Sequence, residues 1–155
     1  MIKNTIKIKL FLAVLSAAVA ALTVSCASSR VDYKEMIKPE NNRRAYERLI
    51  SDHELKERSL LNSPGLHYYG KAFFVVISLT DSGMDSYSEW AARKLLEKLY
   101  AYKIISKNNV SEEDFYLFSG KFKIDTVTQK NYENIAIIKI KENDVIKFII
   151  SILEK

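Results

Sequence analysis

Apolar and polar positions divide the chain into blocks of different period. From Leu10 to Val24 every residue is apolar except Ser16 and Thr23. From about Asn41 to Arg58 the pattern is that of a charged helix, with Ala45, Leu49, Ile50 and His53 forming one narrow stripe. Glu40–Arg44, Asp52–Lys56 and Glu54–Arg58 are acid-first pairs four residues apart, the favourable order on a helix. This segment reads as a solvated spacer or a helix lying on the domain. Ser63-Pro64-Gly65 is a turn signal. Tyr69 to Leu79 then contains Phe73-Phe74-Val75-Val76-Ile77, apolar at each position. That run predicts a central strand buried on both faces.

A loop from Thr80 to Asp85 leads to Ser86-x-x-Glu89, the spacing of a capping box. A helix to about Ile104 follows, with Ala91, Leu95, Leu99 and Tyr102 on one face and Ala92 and Leu96 widening it. Ser111 opens a short turn or helix carrying Phe115, Leu117 and Phe118. Phe122, Ile124 and Thr126 alternate with Lys121, Lys123 and Asp125, as expected of a half-buried strand. Residues 130–134 read as a hairpin connection, and Ala136, Ile138 and Ile140 as the second strand. Asn143-Asp144 can cap a last helix bearing Val145, Ile149 and Ile152, although its β-branched residues leave a strand open.

The order is strand, helix, strand, strand, helix, preceded by a charged helix. It predicts an α+β fold in which helices pack on a mostly antiparallel sheet. The last helix is expected to close the core, because its aliphatic face is too broad to leave exposed. The expected organisation is a signal peptide over 1–25, a lipidated tether over 26–40, the charged helix over 41–62 and an α+β domain over 63–155. No internal repeat is present.

Charge sharpens the reading of the first block. The 155 residues carry 24 basic and 19 acidic side chains, a formal net charge of +5. Removing Lys3, Lys7 and Lys9 leaves 21 basic against 19 acidic side chains, about +2. The basic excess of the whole chain is therefore mostly a targeting feature and gives little reason to expect a nucleic-acid partner. Three lysines without an acid, an apolar run and then small residues make the order of a secretory signal. The run is short for a membrane span, which needs ~20 helical residues. The chain has a single cysteine, Cys26, directly after Ser25. A domain stapled by disulfides would hold an even set.

Leu22-Thr23-Val24-Ser25-Cys26 resembles a lipobox. Leu22 stands one residue further from the cysteine than usual, which is similar to the relaxed lipobox of spirochaete lipoproteins. Ala18-Val19-Ala20 offers ordinary signal peptidase a competing small-x-small site. The resemblance implies that Cys26 carries palmitate or a similar acyl chain, and that the mature protein sits on a membrane without spanning it. Tyr69 to Lys141 resembles the twenty-kilodalton lipoprotein family of bacterial envelopes, which includes flagellar outer-membrane lipoproteins. The shared pattern is Gly70-Lys71-Ala72 at the start of a strand, Glu89-Trp90-Ala91-Ala92-Arg93-Lys94-Leu95 on a helix, and a closing hairpin. Phe73-Phe74 and Leu95-Leu96 depart from the smaller residues usual in that family. The resemblance implies a structural or assembly role in the envelope, with no catalytic residues to carry over.

Candidate chemistry is sparse. His53 and His67 are the two histidines, and they lack HxxxH or His-Cys spacing. Asp81, Asp85 and Glu89 surround one loop, without the spacing of an EF-hand. No serine has a G-x-S-x-G context. The expectation is a non-enzymatic envelope lipoprotein without a cofactor or metal, anchored through Cys26 on the periplasmic or surface side. Its partners would be the membrane and other envelope proteins. Tyr87 and Trp90, near the start of a helix, are the expected interface residues. The alternative is a periplasmic module that binds a small ligand or metal.

Overall fold

A computed structural model describes residues 33–78, 87–130 and 133–155. The expected signal peptide and Cys26 lie outside the described residues, as do Asp81, Asp85 and the Ser86 end of the expected capping box. The described part is one compact unit, Tyr33–Lys155. A 3-10 turn at Tyr33–Met36 is followed by helix α1, Glu40–His53. Strands β1, Gly65–Tyr69, and β2, Ala72–Ser78, come next, then α2, Tyr87–Ala101, and α3, Glu112–Ser119. Strands β3, Lys123–Lys130, and β4, Glu133–Lys141, lead into α4, Glu142–Leu153. The fold is α+β: a four-stranded sheet in the order β1-β2-β4-β3, with every neighbouring pair antiparallel.

The apolar run expected to form one strand from Tyr69 is instead the second half of a hairpin. Gly70 and Lys71 both have positive φ, at 55° and 60°. Two left-handed residues make the two-residue turn whose twist matches that of the strands it joins. Tyr69 accordingly pairs with Ala72, and Leu66 with Val75. The short β1 escaped the sequence reading because its turn resembled a strand start.

The two faces of the sheet are covered differently. Phe73, Val75 and Ile77 of β2 join Ala136, Ile138 and Ile140 of β4 under the helices. α2 supplies Ala91, Leu95 and Leu99, and its alanines let it sit close to the strands. α4 supplies Val145, Ile146, Ile149 and Ile152, so the last segment is a helix that packs on the core. α1 is more than a solvated spacer. Leu49 and Ile50 of its expected stripe enter the same cluster, and so does Tyr46, which lay outside that stripe and is 0% exposed. Phe118 of α3 stacks on Phe148 of α4 with ring centroids 4.0 Å apart.

On the other face Ala72, Phe74, Val76, Ile135 and Ile137 pack with Leu61. The cover is the strap that follows α1. Leu55 N–H donates to Tyr68 O at 2.8 Å, closing the β1 edge. At the far edge Arg58 reaches Asp125 at 2.5 Å. The strap therefore crosses the whole sheet.

Two local expectations change. The last helix begins at Glu142, with Lys141 at the N-cap, rather than being capped by Asn143-Asp144. Glu142 and Asp144 fall in its first turn, where negative charge suits the helix dipole. β3 is not half-buried by simple alternation, because a bulge shifts its register between Ile124 and Thr126. Ile124 pairs with Ile138, but Thr126 pairs with Ile137. Ile124 and Val127 end on the helix side of an edge strand, 56% and 57% exposed. Ser111 does start a helix, accepting from Asp114 N–H in a capping box.

Candidate functional site

The residues singled out in the sequence meet in part. His53, His67 and Trp90 line one cleft of about 600 Å³ between the β1–β2 hairpin and α2. Its wall includes Leu66, Val75 and Ile77, and its rim carries Lys94, Glu97 and Lys98. Each imidazole already meets a backbone carbonyl. His53 Nδ1 lies 2.9 Å from Leu49 O, and His67 Nε2 lies 2.8 Å from Ser63 O. A carbonyl oxygen can only accept, so each of those nitrogens donates to the carbonyl it faces. Lys94 Nζ sits 5.3 Å from the Trp90 ring centroid and covers that ring with positive charge. Trp90 is also packed against the main core, as is Tyr87, so neither ring stands free of the domain. Tyr87 does not line the cleft with Trp90. The cleft joins an apolar wall to polar groups, which suits a small organic molecule.

A second cluster was not foreseen from the sequence. The Glu142 side chain is buried at the start of α4. Tyr68 Oη donates to its Oε2 at 2.9 Å, and Lys34 Nζ lies 3.2 Å from its Oε1. A buried carboxylate needs such partners to offset its lost hydration. The Tyr46 hydroxyl is buried nearby, with no hydrogen-bond partner among the described residues. Burial, then the charge of Glu142, then Tyr68, push its pKa well above the ordinary tyrosine value. This arrangement fastens Lys34, in the first turn of the folded unit, to the junction of β4 and α4. No local motif announces it, because Tyr68 and Glu142 are 74 residues apart.

Among the described residues no three His, Cys, Asp or Glu side chains gather to hold a metal ion. No helix among them is long and apolar enough to cross a membrane. Comparison with protein-family models, curated proteins and solved structures gives no match to the chain.

Proposed function

We infer that the chain is a bacterial envelope lipoprotein, held on a membrane by lipid on Cys26, whose folded domain has a non-enzymatic structural or protein-binding role. The observation that carries this reading is the N-terminal order of Lys3, Lys7 and Lys9, the apolar run to Val24, and Ser25-Cys26. Two or three acyl chains anchor durably, at ~0.8 kcal/mol per buried methylene. The open edge of the sheet supports a binding role. β3 pairs with β4 on one side, and Ile124 and Val127 are exposed along it. An edge strand with exposed aliphatic residues can accept a strand from a partner.

Labelling with radioactive palmitate in cells tests the anchor. Wild type should incorporate label and Cys26→Ser should not; equal labelling of both, or none in wild type, contradicts the reading. A second reading, a small-ligand module, is favoured by the cleft of His53, His67 and Trp90. A metal-binding form of that reading draws no support from the grouping of the described side chains.

A further inference from the structure

We propose that the end of the sheet carrying Lys71, Lys121, Lys123, Lys139 and Lys141 rests on the anionic headgroups of the membrane to which the chain is anchored. This deepens the lipoprotein reading and rests on it. The pairing of the strands brings these lysines together. Lys123 stands directly opposite Lys139, and Lys141 pairs with Ala72, the residue after Lys71. Lys121, Lys123, Lys139 and Lys141 line one cleft of about 640 Å³ with Asp125 and Asp144. Arg58 already pairs with Asp125. None of the five lysines makes an ion pair among the described residues. Asp144 is then the remaining acid of the cleft. Like charges directly opposite on neighbouring strands cost stability. A surface of negative charge would relieve that cost for Lys123 and Lys139.

The path of the chain selects a membrane as the source of that charge. Lys34 opens the folded unit, and it is bound to Glu142, the residue after Lys141. Glu142 N–H in turn donates to Lys71 O at 3.1 Å. The chain therefore enters the domain at the lysine-bearing end of the strands. Seven residue steps separate Cys26 from Tyr33, a reach of at most about 25 Å. Attraction between basic side chains and anionic lipid fades within a Debye length, about 8 Å at physiological salt. A lipid on Cys26 keeps the domain within reach of headgroups, and this end is the one the tether presents. Ile124, beside Lys123 in the same cleft and more than half exposed, gives the contact an apolar component.

The test is acetylation of lysines, read residue by residue by mass spectrometry. The full lipidated protein is placed on vesicles of phosphatidylglycerol mixed equally with phosphatidylcholine, or of phosphatidylcholine alone. Lys94 and Lys98 serve as references, because they line the cleft that includes Ser78, at the opposite end of β2. On the anionic vesicles the five lysines should react several-fold more slowly than on the neutral ones. The references should not change, and high salt should remove the difference. The triple variant Lys123→Gln, Lys139→Gln, Lys141→Gln should stay on both vesicles and lose the protection at Lys71 and Lys121. Protein that floats with both vesicles yet reacts equally at all lysines overturns the proposal and spares the anchor. Protein recovered on anionic vesicles alone, with the five lysines protected, keeps the surface and discards the anchor. Protein that binds neither overturns both.

Discussion

Phe73 and Phe74 are neighbours in β2 and belong to opposite faces of one sheet. Phe73 lies under the helices, edge-on to Tyr68 at 5.0 Å and Tyr46 at 6.2 Å. Phe74 lies under the strap, with the Arg58 guanidinium 5.9 Å and the Lys139 ammonium 5.5 Å from its ring centroid. Both rings are buried. Among the described residues, 26 buried side chains make the cluster on the helix side and six make the cluster on the strap side. Equal burial therefore hides unequal support. One ring is held by several elements that lock one another, and the other by a single crossing segment and two cations. A face of the second kind can exclude water while leaving its border to charged groups, which is where the lysine-rich end of the sheet begins.

The largest expected effect separates these two rings. Phe73→Ala should destabilise the protein by about 3–5 kcal/mol, the usual cost of removing a buried phenylalanine from a core that cannot collapse. Phe74→Ala should cost about 2–3 kcal/mol, because Leu55 and Leu61 can settle into the space it leaves. Urea melts of the two variants check this. Equal losses would mean that the strap is as firmly seated as the helices.

A smaller effect divides two tyrosines on the helix side. Tyr68→Phe removes a hydrogen bond to the buried Glu142 carboxylate and should cost about 1.5–3 kcal/mol. Tyr46→Phe removes a buried hydroxyl that has no partner among the described residues. It should leave stability within about 0.5 kcal/mol of wild type, or raise it, since an unpaired buried hydroxyl is itself a cost. Thermal melts of both variants decide it, and a loss at Tyr46 matching that at Tyr68 would place a partner on its hydroxyl.

The helices and the antiparallel sheet were legible because their signals are local and periodic. Ala91, Leu95 and Leu99 recur at helical spacing, and all three are buried. The apolar run from Phe73 to Ile77 demanded two covered faces, and it has them. The identity of the second cover was not legible. Leu55 and Leu61 sit in a charged stretch that the pattern assigned to the first helix, but the helix ends at His53, and their role depends on where the chain crosses the sheet. The hairpin turn was missed for a related reason: Lys71 adopts a left-handed conformation uncommon for a residue with a side chain, so it gave no turn signal. The bulge in β3 also depends on pairing, and alternation alone placed Ile124 in the core. Of the candidate site, His53, His67 and Trp90 were visible as residue types, but their sharing of one cleft is a consequence of topology. The paired lysines of β3 and β4 looked like two ordinary wet faces until the register set Lys123 against Lys139.

Native-state hydrogen exchange tests most directly whether the two faces differ in kind. The Leu55 amide reports the strap through its bond to Tyr68 O, and the amides of β2 and β4 that pair with each other report the sheet beneath the helices. Local openings have free energies well below that of global unfolding where few apolar contacts hold a segment. The Leu55 amide should exchange through such a local opening, insensitive to low urea, while the β2 and β4 amides exchange only with global unfolding. Leu55 exchanging at the global free energy, with the same urea dependence as β2 and β4, would contradict the account.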